Sequence, residues 1–206
     1  MISSAEFQKI TTLIFDVDGT LTDGRQAYLS NGDNVKFFYH HDMHWLKMAI
    51  RAGLKVGTLS AAVEPVNRIV PEEILKLTFA ITGSKDKLAS FEEILKKYQL
   101  SADECLYMGD DVVDMPVIKR AGIGVAVADA VPELDEVADF RTQAPGGQRE
   151  FVPALARAAA AVGIDALFTE VHPRPAEAWS DGPNSLDFEQ IRKTLIEVKK
   201  IHDLIR

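Results

Sequence analysis

The chain has 206 residues, 47% of them apolar and 26% charged, which is the make-up of an ordinary globular protein and not of a disordered one. A formal net charge of −8 argues against nucleic acid or an anionic membrane surface as the main partner. The single cysteine, Cys105, cannot form an internal disulfide, the N-terminal residues have neither the basic flank nor the apolar core of a signal peptide, and no uncharged stretch approaches bilayer length, so a cytoplasmic protein with no membrane partner is expected.

Strand and helix signals alternate along the chain. Thr12 to Val17 reads as a buried strand ending in a carboxylate-rich loop, Asp16-Val17-Asp18-Gly19-Thr20. Gln26 to Ser30 and Asn34 to Tyr39 flank Asn31-Gly32-Asp33, the pattern of a β-hairpin with an Asn-Gly turn. Asp42 is expected to cap a helix running to about Arg51, with Gly53 as its stop. A strand from Leu54 to Leu59, a helical stretch from Glu64-Pro65 and a short strand from Thr78 to Ile81 follow. The next helix, Asp86 to Tyr98, sets Leu88, Phe91, Leu95 and Tyr98 on one face. Cys105 to Met108 is a strand opening into Gly109-Asp110-Asp111, then come a helix to Gly122 and a strand from Ile123 to Val127. This order predicts an α/β fold, a Rossmann-like parallel sheet with helices on both faces.

The composition shifts after Ala144-Pro145-Gly146-Gly147. An Ala-rich helix (151–162), a strand from Ile164 to Val171 and a Pro-containing loop lead to a last helix from about Leu186. That helix places Phe188, Ile191, Leu195, Val198 and Ile201 on one stripe. The expected division is a domain over residues 1–147 and a strand-and-helix extension over 148–206.

The chemistry-bearing residues lie at strand ends. In extended backbone, residues two apart point to the same side, roughly 6–7 Å from one another, so Asp16 and Asp18 can share a pocket. A second acidic group, Asp110, Asp111 and Asp114, follows another strand. The carboxyl ends of such strands line one crevice, where ligands bind. Carboxylates converging there repel one another unless a hard cation is held, and oxygen-only ligation suits Mg²⁺. Asp is also common at turns and helix caps. Two acidic clusters in this order, with Ser60 after a middle strand and lysines before a later helix, favour a site over that plainer reading.

These residues carry a resemblance. Asp16-Val-Asp-Gly-Thr-Leu-Thr-Asp-Gly24, Ser60, Lys87 and Gly109-Asp-Asp-x-x-Asp114 resemble the four motifs of the haloacid dehalogenase superfamily of phosphatases. Within it, residues 10–147 are similar to the small capless sugar-acid phosphatases that hydrolyse 3-deoxy-manno-octulosonate 8-phosphate in lipopolysaccharide precursor synthesis. The hairpin after Gly24, Lys36 to Asp42, Gly83-Ser-Lys-Asp-Lys-Leu88, Val125 to Ala130 and Ala144-Pro-Gly-Gly147 support that likeness. The resemblance implies that Asp16 is the nucleophile and a metal ligand, that Asp18 is the general acid and base with its carbonyl on Mg²⁺, and that Asp110 completes the protein ligands. Asp111 and Asp114 would orient the ligands, and Ser60 and Lys87 would hold the phosphoryl oxygens, with Lys85 the rival to Lys87. It implies a homotetramer in which neighbouring subunits cover the open crevice. The chain departs from the pattern in reading Ala61-Ala62 where the family has Gly-Arg or Gly-Glu, and Asp42-Met43-His44-Trp45 where it has Asp-Gly-x-Gly. Both places shape the substrate end, which leaves open a nonulosonate 9-phosphate as substrate, or a weakly active or inactive oligomerisation module.

The tail carries a second resemblance. Gly146 to Arg157, Leu167 to Pro173 and Ser180 to Asn184 are similar to the end of 3-deoxy-manno-octulosonate 8-phosphate synthase, a closed β/α barrel. In metal-dependent members of that family the positions of Glu170 and Asp181 bind metal, but a fragment of a barrel cannot enclose a site. Among smaller signals, His40, His41 and His44 read as a polar rim, Cys105 as a buried small hydrophobe, and Lys199-Lys200 as a solvated helix end.

Overall fold

The computed structural model describes residues 7–30, 34–147, 171, 173–174 and 186–205. Its centre is a strand, β1 (Thr12–Phe15), with all four residues buried. A hairpin follows, β2 (Ala27–Tyr28) against β3 (Asn34–Val35), antiparallel with Ala27 opposite Val35 and Tyr28 opposite Asn34. A bridge between Thr22 and Phe38 ties its base to the loop after β1. Its strands are shorter than the sequence predicts, and the expected Asn-Gly turn lies outside the described residues. Then come α1 (His40–Arg51), β4 (Lys55–Leu59), α2 (Val66–Ile69), which runs on into a π-helical turn over Val70–Leu75, and β5 (Phe79–Ile81). The second half adds α3 (Lys87–Tyr98), β6 (Cys105–Gly109), α4 (Met115–Arg120), β7 (Ile123–Ala126) and β8 (Phe140–Arg141).

The sheet has six strands in the order β5-β4-β1-β6-β7-β8, and every neighbouring pair is parallel. Parallel strands covered on both faces need continuous apolar runs. The chain supplies them in Ile14, Val17, Val56, Leu59, Tyr107, Val125 and Val127, none more than 0% exposed. Phe91, Val117 and Ile118 from α3 and α4 close the core. The chain leaves β1 for β4 on one side and later reaches β6 on the other, so the order reverses beside β1. That is the place where an open α/β sheet forms its ligand crevice. The edge strand β8 was not predicted: two residues carry too little pattern to be read, and Arg141 holds the turn behind it by bonds to the carbonyls of Val127, Ala130 and Val131.

Helix α1 corrects one expectation. Asp42 does not cap it: Tyr39 stands at the N-cap without a side-chain bond, and Asp42 lies inside the first turn. Its carboxyl is buried, with Oδ2 lacking a hydrogen-bond partner among the described residues. By contrast Asp86 does cap α3, accepting from the Ala89 N–H at 3.0 Å.

The chain divides into two compact units, Met1–Gln148 and Arg149–Arg206. In the second, α5 (Phe188–Ile205) is the expected last helix, opened by Asp187, which accepts from the Glu189 and Gln190 N–H groups at 2.8 and 2.7 Å. Its covered face keeps only part of the expected stripe: Ile191, Val198 and Ile201 are half-buried. Thr194 is 1% exposed between the half-buried Ile191 and Val198, whereas Phe188 and Leu195 are 63% and 51% exposed. Leu186 bridges to Val171 in parallel, and the predicted Ala-rich helix and the rest of the predicted strand lie outside the described residues.

Asp42 gives a pH dependence. Burial pushes its carboxyl up to about 8 from an ordinary 3.8, so between these values the folded chain holds a proton that the unfolded chain releases. Its contribution to stability is therefore present at low pH and lost as pH rises towards 8. Asp42→Asn should match the wild type in melting temperature near pH 4 and exceed it by several degrees at pH 8 to 9. Parallel melting curves across that range would show a Asp42 that is ionised in the fold.

Candidate active site

The loop after β1 is built so that two carboxylates emerge at the crevice. The Asp16 N–H still bonds to the Met108 carbonyl at 2.9 Å, which continues the pairing of β1 with β6 for one more residue. The chain then coils on the Val17 carbonyl, which accepts from the N–H groups of Leu21 and Thr22 at 3.0 Å. Gly19 turns it with φ +87°, and a Cβ there would fall 2.1 Å from Asp110 Oδ2. A residue without a side chain is required for both reasons. Gly146 is required by a neighbouring contact, since a Cβ on it would lie 1.8 Å from the Gly19 carbonyl oxygen. Its N–H bonds to Asp129 Oδ1 at 2.9 Å and that of Gly147 to the Thr20 carbonyl at 3.1 Å. The Ala-Pro-Gly-Gly segment thus braces the first acidic loop from behind.

Asp16, 6% exposed, meets the lysine at the start of α3: Lys87 Nζ lies 2.9 Å from Asp16 Oδ1 and 2.7 Å from Asp114 Oδ1. Asp114 is wholly buried, and it also accepts from the Tyr107 hydroxyl and, through Oδ2, from the N–H groups of Asp110 and Asp111 at 3.2 and 3.3 Å. Asp110 accepts from the Thr20 hydroxyl at 3.1 Å. Asp16, Asp110 and Asp114 each bring one oxygen within 4.8 Å of the others. Three carboxylates therefore share one ammonium group, and the excess charge is uncompensated. Burial first, then the charge of Asp114, pushes Asp16 up to about 8 against the opposing pull of Lys87. The same two causes, opposed chiefly by Thr20, raise Asp110 to about 6. Burial pulls Lys87 down, but Asp16 and Asp114 outweigh it and hold the ammonium above its ordinary range. An all-oxygen donor set with surplus negative charge fits a hard divalent cation.

A second cluster adjoins the first. Asp18, two residues beyond Asp16, pairs through Oδ1 with Lys36 Nζ at 2.6 Å and accepts at Oδ2 from Asn67 Nδ2 at 2.8 Å. The same amide nitrogen donates to Ser60 Oγ at 3.0 Å, and Ser60 Oγ also accepts from the Ala62 N–H at 3.1 Å. With both lone pairs so occupied, the Ser60 hydroxyl meets any further partner as a donor.

The crevice thus brings Asp16, Asp110, Asp114 and Lys87 into direct contact and sets Asp18 and Ser60 in the adjoining cluster. Lys85 is exposed, so Lys87 is the lysine that reaches Asp16. Asp111 is exposed and spends its carboxylate on the Val112 N–H at 2.7 Å, while its backbone braces Asp114. Sequence reasoning missed Tyr107, Lys36 and Asn67 as site residues. Tyr107 reads as an ordinary strand apolar. Asn67 sits beside Arg68 in Val66-Asn67-Arg68-Ile69-Val70 and leaves no signal of its own.

A parallel sheet that gathers an acidic triad, a lysine and a serine hydroxyl at its reversal point defines a hydrolase of the haloacid dehalogenase type. Comparison with known proteins agrees. Residues 76–145 match the family model of haloacid dehalogenase-like hydrolases. A 3-deoxy-D-manno-octulosonate 8-phosphate phosphatase of Escherichia coli is 33% identical over 146 residues, covering 70% of this chain and 76% of that one. A probable phosphatase structure from Pseudomonas syringae superposes with a TM-score of 0.73 at 32% identity, covering 78% of this chain and 90% of that one. The Moraxella catarrhalis octulosonate 8-phosphate phosphatase, solved with magnesium, phosphate and the sugar acid, gives a TM-score of 0.71 at 27% identity over 77% of this chain and 90% of that one. The chain belongs to the haloacid dehalogenase-like phosphatases, in the family of the 3-deoxy-D-manno-octulosonate 8-phosphate phosphatases. Residues 137–206 match a different model, that of the DAHP synthetase I family, which partly backs the synthase-like end.

A cation that binds only the folded chain must stabilise it. Mg²⁺ at a hundred times its dissociation constant is expected to add about 2.7 kcal/mol, read as a rise in melting temperature, and Asp110→Asn should remove most of that gain. An unchanged wild-type melting temperature at millimolar Mg²⁺ would sink the metal assignment.

Proposed function

We propose that the chain hydrolyses the phosphomonoester of a sugar acid, 3-deoxy-D-manno-octulosonate 8-phosphate, with Mg²⁺ as cofactor. The observation that carries the reading is the Asp16 carboxylate, buried against Lys87 with Asp18 two residues on and a serine donor beside it. Asp16, Asp110 and the Asp18 carbonyl would hold Mg²⁺, which when bound offsets the charge of the phosphoryl oxygens and of the carboxylates.

Asp16 attacks phosphorus, so a carboxylate–phosphorus bond forms as the bond to the sugar oxygen breaks. The electron pair of the broken bond stays on that oxygen, which takes a proton from Asp18. Water then attacks phosphorus, giving its proton back to Asp18 and releasing the Asp16 carboxylate. Ser60 and Lys87 donate to the phosphoryl oxygens as charge moves through them. Asp114 holds Lys87 in that position and is itself fixed by Tyr107 and two backbone N–H groups. The phosphatase unit spans residues 1–147, works as a homotetramer in the cytoplasm, and carries 148–206 as an appendage without chemistry of its own.

Asp16→Asn conserves shape but removes the nucleophile, and phosphate release from a panel of sugar phosphates, a nonulosonate 9-phosphate included, should fall below detection. Turnover within about tenfold of wild type would take Asp16 out of that role. In the tail, Glu170→Gln and Asp181→Asn should leave kcat/KM nearly unchanged. A large loss in either variant would mean that the appendage takes part in the reaction.

A further inference from the structure

Lys36 is an unusual residue for a short hairpin's exit. It follows β3 directly, yet its side chain is 0% exposed, and a buried ammonium must be matched by acceptors. It has one hydrogen-bond acceptor, Asn67 Oδ1 at 2.9 Å, and two ion-pair partners, Asp18 Oδ1 at 2.6 Å and, farther off, Glu64 Oε2 at 3.7 Å. Asn67, also 0% exposed, completes a ring by donating to Asp18 Oδ2 and Ser60 Oγ. Asp18 is therefore held at both oxygens, by an ion pair at Oδ1 and a hydrogen bond at Oδ2, and the two partners come from different parts of the chain. Two anchored contacts, one to each oxygen, fix the plane of a carboxyl group where one would leave it free to rotate. A carboxylate offers about four lone-pair sites on its two oxygens. With Oδ1 buried against Lys36, the lone pair left for a proton is that of Oδ2. The side chain is still 24% exposed, so that edge opens to the crevice.

We infer that Lys36 is a positioning residue for proton transfer: through its ion pair it aims the Asp18 carboxyl at the leaving oxygen, with Asn67 holding the other carboxyl oxygen and keeping it in register with the Ser60 hydroxyl. The inference rests on the phosphatase reading above. It assigns Lys36 no contact with substrate, because the ammonium is enclosed. Its effect on departure of the leaving group must then appear only where the leaving oxygen needs a proton as the bond to phosphorus breaks, whereas any effect on the later attack of water is common to all substrates. A sugar hydroxyl leaves as a basic alkoxide unless it is protonated, whereas 4-nitrophenolate is stable as an anion.

The test compares kcat/KM, which reports the step that expels the leaving group, for two substrates in the full-length chain with Mg²⁺: 4-nitrophenyl phosphate, and the sugar-acid 8-phosphate or whichever sugar phosphate of the panel the wild type turns over. Lys36→Met, which keeps length and loses the charge, should lower the sugar-to-aryl ratio of kcat/KM at least tenfold, with the aryl kcat/KM nearly retained. In an Asp18→Asn background the same substitution should lower the ratio no further, because a residue acting through Asp18 has nothing left to act on. Lys36→Gln keeps a polar head in the enclosed socket and should lower the ratio as well, which covers the case of a methionine variant that does not fold. Equal losses on both substrates, no loss on either, or an added loss in the Asp18→Asn background would overturn the inference. A wild-type chain that hydrolyses neither substrate would overturn the phosphatase reading itself and this inference with it.

Discussion

The ion pair from Lys87 to the buried Asp16 and Asp114 is the constraint around which the crevice is arranged. Asp16 ends the central strand, Asp114 follows its neighbour β6, and Lys87 opens α3, so three elements have to meet within hydrogen-bond distance. None of the three charges could be buried alone without a large desolvation cost. Together they still leave a surplus of negative charge, and the fold keeps that surplus in place by tethering Asp114 to a tyrosine and two backbone N–H groups. A site held short of one positive charge is primed for a cation and for the phosphate that accompanies it. Burial and then the charge of Asp114 hold the carboxyls of Asp16 and Asp110 above the usual carboxylate range, in keeping with that shortage.

The acidic loops were legible because their spacing is local. Asp16 and Asp18 sit two apart at a strand end, and Asp110 and Asp114 lie one turn apart after another. Alternation of strands and helices then suffices to bring both loops to the same edge. What stayed hidden depends on contacts across the fold. Lys36 and Asn67 are 31 residues apart in sequence and meet only because the hairpin folds back towards the helix after β4. Asp42 misled for a related reason: its position fits a cap, but tertiary burial overrode the local preference that makes Asp a capping residue. The stripe on α5 erred in part in the same way, since periodicity locates a helix without saying which side of it is covered, and Thr194 rather than Leu195 faces inwards.

In the proposed mechanism the two acidic clusters divide the labour of a two-step reaction. One gathers surplus negative charge and one lysine around Asp16, the proposed nucleophile. The other holds Asp18, the proposed proton carrier, and has its own buried lysine. Because Ser60 belongs to the second cluster by its hydrogen bonds and to the first by its proposed role, the serine is where the two clusters join. The chain reads Ala61-Ala62 just beyond it, so no charged side chain is available from those two positions, and charge in that quarter comes from Lys36 and Glu64 instead.

Gly146 and Gly147 stand where the likenesses to the two enzyme families come together, and they are also packed against the loop that carries Asp16. With the Gly19 carbonyl so close to Gly146, nothing bulkier could be accommodated there without shifting the loop that carries Asp16. The match to the synthase family already begins at residue 137, so the pair lies within it. A segment joined to this phosphatase, whatever its ancestry, therefore has to keep two residues without side chains at these positions.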